Sequence, residues 1–331
     1  MNPPTGRFGG DASIDAVFIS PHKFLGGPGS SGVLVFNKRI YNRDLPPSVS
    51  AGGTVDYVGP TSQDFISRIE EREKAGTPGV LQIFKAGMAF QLKDEIGVEA
   101  IEKREKELLE RTFDRWRNSS NIEILGNPDP NRRISIVSFN LRDHQGKYLH
   151  PKFVTTLLND LFGIQSRAGC SCAGPYGHRL LDIDFERSEQ YRKWISKGYS
   201  GIKPGWCRIS LHYTMDNIEA DYILDAIDFV AEWGHRFLPL YHFDMNTGAW
   251  THKVDCVCLE GFSLDAALEC GGYQSRALSR GERRTLYSAF LNEARQLAAE
   301  LDEPLTPGKQ DADQELESLK FFSVPDQSVS M

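Results

Sequence analysis

Apolar and polar positions along the chain change their spacing several times, and each change marks an element. Residues 15–20 (DAVFIS) and 32–36 (GVLVF) are short, nearly unbroken apolar runs, which predicts two buried strands. Between them lies Pro21-His22-Lys23-Phe24-Leu25-Gly26-Gly27-Pro28-Gly29-Ser30-Ser31, where consecutive breaker residues predict a tight turn. Residues 40–78 show no period and read as irregular, with turns at Ala51-Gly52-Gly53-Thr54 and Ala75-Gly76-Thr77-Pro78. After Pro78, Leu81, Phe84, Met88 and Leu92 trace an apolar stripe at helical spacing. From Val98 to about Arg117 a charged helix carries Ile101, Leu108, Leu109, Phe113 and Trp116 on one face.

The period then shortens. Residues 122–125 and 134–141 read as strands, the second because Ile134, Ile136 and Ser138 alternate with Ser135, Val137 and Phe139. Phe153, Leu157, Leu158 and Leu161 mark a helix after Pro151, and residues 207–213 another strand. Asp216 with Glu219 three positions on is a capping-box variant that opens a helix running to about Phe237. This alternation predicts a compact α/β or α+β domain over about 95–240. Beyond Leu238-Pro239 the pattern weakens to one helix near 280–301, and the stretch from Pro304 onward reads as a mobile acidic tail. There is no internal repeat.

Composition narrows the classes. The length of 331 residues accommodates two domains with cores of their own, and apolar and charged fractions of 40% and 25% are those of an ordinary globular chain. A net charge of −7 argues against general nucleic-acid binding. No apolar run is long enough to cross a bilayer, and the opening residues lack the basic and apolar stretches of a secretory leader. Six cysteines are too sparse for a disulfide scaffold, so cytoplasmic residence with reduced thiols is the expectation.

Lys23 carries the first candidate chemistry. Glycines around it let backbone amides approach a phosphate, and a rigidly held, partly desolvated lysine amine is nucleophilic at neutral pH. From composition alone Lys23 reads as a surface lysine in a hairpin loop, and only a resemblance overturns that. The stretch Ser20-Pro21-His22-Lys23-Phe24-Leu25-Gly26-Gly27-Pro28-Gly29-Ser30-Ser31-Gly32 resembles the cofactor-lysine segment of class V aminotransferase-fold enzymes, a group that includes cysteine desulfurases and selenocysteine lyases. The resemblance implies that Lys23 forms the internal aldimine with pyridoxal 5'-phosphate and that Ser20 and His22 contact its phosphate. Ala51-Gly52-Gly53-Thr54 resembles the turn that reaches the phosphate of the partner subunit's cofactor, which implies a homodimer and gives Gly53 and Thr54 a cofactor-binding role. Glu73-Lys74-Ala75-Gly76-Thr77-Pro78 resembles the family's Glu-x-x-Gly-Thr-Pro segment near the domain junction.

The fourth match bears on reaction type. Arg167-Ala168-Gly169-Cys170-Ser171-Cys172-Ala173-Gly174-Pro175 resembles the Arg-x-Gly-x-x-Cys-Ala-x-Pro loop of one cysteine desulfurase group. By that resemblance Arg167 clamps the carboxylate of a small amino-acid substrate, for which a planar fork is suited, and Cys172 attacks the substrate sulfur. Cys170 stands where well-known desulfurases carry histidine. Pairing Cys170 and Cys172 with Cys256 and Cys258 would leave spacers too short for an ordinary four-thiolate zinc site, so no metal is expected. Cys207 and Cys270 read as inert core thiols, and Trp116, Trp194, Trp206 and Trp233 as packing residues. His178, His212, His235, His242 and His252 show no metal-ligand spacing.

The implied fold class is α/β: an incomplete fold-type I pyridoxal-phosphate transferase large domain over residues 1–94, a small α/β domain over 95–240 and a C-terminal extension over 241–331. Family members carry a long portion before the lysine, including the aspartate that pairs with the pyridine nitrogen. With the lysine at position 23, the expectation is a truncated frame or half of a split enzyme with a separate N-terminal fragment. The segments around Lys23 are then expected to expose edges and apolar faces. Three functions stay open: a desulfurase or selenocysteine lyase-like enzyme, an aminotransferase or lyase without persulfide chemistry, and a non-catalytic fragment.

Overall fold

The computed structural model describes residues 12–25, 27, 29–170, 174–254, 277–302 and 313–324. The chain divides into two compact units, residues 1–101 and 102–331.

In the first unit β1 (Ala16–Ile19) and β2 (Val33–Phe36) pair antiparallel, from Ala16 opposite Phe36 to Ile19 opposite Val33. Both strands form where expected, but they are not buried. Phe18 is 82% exposed and its cross-strand partner Leu34 52%, while the pair Val17 and Val35 on the opposite face is exposed as well. The strands have the apolar pattern of a sheet covered on both sides, and in this two-stranded ribbon neither side is covered at these positions.

Residues 40–78, expected to be irregular, hold a second hairpin and a one-turn helix: β3 (Val55–Val58), β4 (Gln63–Phe65) and α1 (Ile69–Arg72). Such short strands, with a register shift between Val55 and Tyr57, leave too few alternating positions to show a period. The buried Arg72 ties this segment together by donating to the carbonyls of Arg43 at 3.0 Å and Leu45 at 2.7 Å, and it lies over the Phe65 ring. Helix α2 (Val80–Ile96) follows Pro78 as expected. Its apolar stripe is nevertheless outside: Leu81, Phe84, Met88 and Leu92 are exposed, and Ala86 and Ala89 are the buried residues.

The second unit is a sheet with helices on its inner face. Strands β5 (Ile122–Leu125), β6 (Ile136–Leu141), β7 (Arg167–Gly169) and β8 (Trp206–Ser210) form one antiparallel sheet in the order β5-β6-β8-β7. Val137, Phe139 and Leu141 alternate inward on β6, as do Cys207 and Ile209 on β8. They meet Phe153, Val154, Leu157 and Leu158 of α4 (Pro151–Phe162), Leu108, Leu109, Phe113 and Trp116 of α3 (Val98–Trp116), and the buried face of α7 (Asn217–Trp233). The ends of α4 are locally encoded. Pro151 occupies its first position, the His150 ring accepts from the Lys152 amide at 3.1 Å, and Gly163 closes it with φ of 65°. Across α3 and α7, Arg111 forks onto Asp221, Arg115 bonds Asp225 and Asp228, and the Trp116 indole donates to Asp228 at 2.8 Å.

The C-terminal part departs from the expected extension with a mobile tail. Strands β9 (Tyr241–Phe243) and β10 (Trp250–His252) form a hairpin whose Tyr241, Phe243 and Trp250 enter the main core. Helix α8 (Arg280–Glu300) starts in a Ser279–Glu282 capping box and stacks Tyr287 on Tyr222 of α7 with ring centres 3.9 Å apart. Helix α9 (Gln314–Leu319) packs Leu316 and Leu319 with Tyr191, Trp194 and Ile202 in a second cluster. Phe322 then bridges in parallel to Tyr148. Acidic composition concealed this docking, because four apolar side chains (Leu316, Leu319, Phe321 and Phe322) carry it and an average over the tail dilutes them.

Candidate active site

In the first unit, Pro21, His22 and Lys23 form one turn of 3₁₀ helix between β1 and β2. Proline at its first position sets φ for the turn, Pro21 is buried, and the amides of Lys23 and Phe24 return to the carbonyls of Ser20 and Pro21 at 2.9 and 3.1 Å. The following loop is tied to α2 at two points. Phe24 sets its ring edge against Phe90 at 5.2 Å, and the Ser31 amide bonds the Gln82 carbonyl at 3.0 Å. Leu25, Gly27 and Gly29 all have left-handed backbone, at φ of 58°, 65° and 76°. Only glycine adopts that conformation freely, so the loop needs its glycines.

This anchored turn presents His22 and Lys23 to solvent. The side chains of Ser20, His22 and Lys23 have no hydrogen-bond partner among the described residues. A hydroxyl, an imidazole and an amine free on one rigid turn suit the phosphate and aldehyde ends of pyridoxal phosphate. The acid closest in sequence, Asp15, is engaged by Arg39 at 2.7 Å and is thereby committed elsewhere. The residues present therefore fit two ends of the cofactor and supply no pyridinium partner from Asp15.

Thr54 behaves differently from a simple phosphate donor. It is fully buried, its hydroxyl donates to the Ala51 carbonyl at 2.8 Å and accepts from the Ala51 amide at 3.1 Å. Gly52 and Gly53 form the exposed part of that turn. Glu73 accepts from the Tyr41 hydroxyl at 2.5 Å and the Ser48 amide at 3.1 Å. The Tyr41 bond holds the Glu73 carboxyl below its ordinary range and pushes the Tyr41 phenol up.

In the second unit, Arg167 opens β7 directly opposite Arg208 of β8. Cys207 and Ile209 point into the core, so alternation places Arg208, and Arg167 in register with it, on the other face of the sheet. Two guanidinium-bearing positions thus stand side by side across the β7–β8 pair. Sequence reading missed Arg208. Its alternation with Cys207 and Ile209 was visible, but its neighbour across the sheet was not. Gly205 keeps this corner tight, since a Cβ there would lie 2.7 Å from the Gly169 Cα. Gly177 of α5 (Gly174–Leu180) likewise lets that helix approach the Trp206 ring, with 3.0 Å to an added Cβ.

Cys170 follows β7 and is exposed, whereas Cys172, Cys256, Cys258 and Cys270 lie outside the described residues. Cys207 is a core thiol whose burial pushes its pKa far up, so it stays protonated. His178 is engaged by the Gly174 carbonyl at 2.8 Å and Ser188 Oγ at 2.9 Å. Trp116, Trp194 and Trp206 are buried packing residues. No group of three or more His, Cys, Asp or Glu suited to a metal occurs among the described residues. None of their helices is long and apolar enough to cross a membrane.

Residues 10–223 match the model of the family described as Aminotransferase class-V. A protein named "Probable cysteine desulfurase" from Staphylococcus epidermidis is 32% identical over 165 residues, which is 50% of this chain and 38% of that protein. Its namesake from Staphylococcus aureus is 33% identical over the same length and shares. Among solved structures, the apo cysteine desulfurase of Thermococcus onnurineus NA1 superposes with a TM-score of 0.51 at 24% identity, covering 66% of this chain and 47% of that one. The cysteine desulfurase CsdA of Escherichia coli gives 0.50 at 20% identity, with 65% and 45% covered. The chain thus spans less than half the length of these relatives, and the structural likeness is one of fold, the fold-type I architecture with mixed α/β units. Because the matched stretch takes in the lysine turn, the Gly-Gly-Thr turn and the arginine loop in order and covers well over half of the residues, the chain belongs to the class-V aminotransferase family.

Proposed function

We propose that this chain is the lysine-bearing part of a pyridoxal-phosphate enzyme of cysteine desulfurase type acting on a small amino acid. The observation that carries the reading is Lys23 itself, unpaired at the end of an anchored turn inside a family match. Bound there, pyridoxal 5'-phosphate would supply the electron sink that acidifies the substrate's α-carbon. Ser20 and His22 hold the phosphate end. Lys23 Nζ takes and returns the α-proton. Arg167 and Arg208 orient the substrate carboxylate from the outer sheet face. Cys172, as a thiolate, accepts the substrate sulfur as a persulfide. In a homodimer the Gly53 amide is the group on its turn suited to a partner's phosphate. The Thr54 hydroxyl joins it only by leaving Ala51.

The test is to add pyridoxal 5'-phosphate to the full chain, fix any imine with borohydride and map the modified lysine by peptide mass. Modification at Lys23, lost in Lys23→Ala, supports the reading. Equal modification of other lysines in that variant refutes it. With cysteine as substrate and an added dithiol that reduces the persulfide and is itself oxidised to a disulfide, sulfide release is expected to vanish in Cys172→Ala. Keto-acid formation surviving that change would favour an aminotransferase or lyase without persulfide chemistry.

A second reading, that the chain does no chemistry alone, is supported by the bare apolar faces of β1 and β2. It predicts cofactor uptake only after addition of a polypeptide corresponding to the unmatched part of the relatives.

A further inference from the structure

A cavity of about 350 Å³ opens in the second unit, and neither Arg167 nor Arg208 is among its lining residues. Its floor is the outer sheet face, where Glu123 of β5 and Asn140 of β6 are register partners. Arg142 and Tyr148 extend the floor. Leu181, Ile183, Pro204 and Phe321 supply apolar walls. The cavity is a product of the segments added around the sheet, from the link between α5 and α6 (Phe185–Ser196) on one side and the docked C-terminal stretch on the other.

Most of the polar floor is self-contained. The Tyr148 hydroxyl donates to Glu123 Oε2 at 2.5 Å, Arg142 Nη2 donates to the same oxygen at 3.0 Å, and the Arg142 guanidinium also bonds the Tyr148 hydroxyl and lies over its ring. Asn140 is the exception. It is only 4% exposed, yet its carboxamide makes no hydrogen bond among the described residues. Its polar atoms are not fully enclosed, so the partner that the protein does not supply can reach them from outside. What little of Asn140 remains accessible faces the cavity it lines.

We propose that this cavity binds a small planar molecule with a hydrogen-bond donor and acceptor side by side on one edge and an apolar body, the class of purine bases and aromatic carboxamides. A carboxamide meets such an edge with two hydrogen bonds, as asparagine does with adenine. The volume lies within the usual range of small-molecule sites, and apolar walls around a few fixed polar groups are their usual lining. Glu123 and Asp182 outnumber Arg142 on the lining, which disfavours an anionic ligand. The inference does not rest on the role given to Lys23.

The experiment is calorimetric titration of the full chain with adenine and with nicotinamide, using benzoate as an anionic control. At least one of the two neutral probes is expected to bind with Kd below about 1 mM, and benzoate is expected not to. Asn140→Leu is expected to weaken that binding by about tenfold or more, since it removes both hydrogen bonds. Leu181→Trp, a wall change that leaves the sheet untouched, is expected to abolish it by filling the cavity and decides the matter should Asn140→Leu not fold. Absence of binding by either neutral probe to the unmodified chain overturns the proposal. So does affinity that is unchanged in Leu181→Trp.

Discussion

His150 makes the stability of the second unit depend on pH in a defined window. Its ring is 3% exposed and lies among Phe243, Trp250, Phe321 and Phe322, the last with ring centres 4.4 Å apart. Nδ1 accepts from the Lys152 amide at the start of α4, which leaves Nε2 to carry the proton and donate to the Gly201 carbonyl at 3.0 Å. Desolvation pushes the pKa from the ordinary 6.5 down to about 4, the Gly201 bond partly opposes this, and Lys152 adds to it. The folded value lies below the unfolded one, so the unfolded chain binds the proton first as pH falls. The stabilisation is complete above 6.5 and is lost as pH drops to about 4. At about 1.4 kcal/mol per pH unit that window is worth up to roughly 3 kcal/mol. All five tryptophans lie between residues 102 and 331, so their fluorescence during urea unfolding reports the unit that holds His150. His150→Asn keeps a helix-capping oxygen and removes the titration. The unmodified chain is expected to lose about 2–3 kcal/mol more than His150→Asn between pH 7 and pH 4. Parallel loss in the two proteins refutes the reasoning.

Three further outcomes follow from packing. Leu319→Ala is expected to cost about 2–4 kcal/mol in urea unfolding, because Leu319 is fully buried in the second cluster; a cost below about 1 kcal/mol would mean that α9 does not dock. Asp228→Ala leaves the buried Trp116 indole without its acceptor and Arg115 with one carboxylate fewer, for an expected loss of about 2 kcal/mol, checked by the same unfolding curves. Thiol alkylation followed by peptide mapping is expected to modify Cys170 in the native protein and Cys207 only after unfolding, since one is exposed and the other is buried with its pKa raised. Rapid native labelling of Cys207 would contradict its place in the core.

Local signals were sufficient for much of this molecule. Periodicity identified α2, α3, α4 and three strands of the main sheet, β5, β6 and β8, since a helix or strand writes its own spacing into the residues it contains, whereas the three-residue β7 lay within a stretch read as a loop. The breaker residues after Ser20 were enough to mark the Lys23 turn, and Pro151 and Asp216 marked the starts of α4 and α7. Period alone did not say which face would be covered. The stripe of Leu81, Phe84 and Met88 on α2 and Val17, Phe18, Leu34 and Val35 on β1 and β2 lie exposed, because burial depends on whether another layer is there to receive them. Short elements were illegible for a related reason. The β3–β4 hairpin and α9 contain too few turns or alternations to rise above their surroundings, and contacts made after folding hold them in place.

The chemistry divides along the same line. Lys23, Ser20, His22 and Arg167 could be picked out as sequence neighbours within short motifs. The partnership of Arg167 with Arg208 and the lone carboxamide of Asn140 above a cavity could not. Each depends on residues far apart in the chain being brought to one register or one wall. That is decided by the whole set of strand pairings and packed faces, a collective balance that no single stretch of sequence contains.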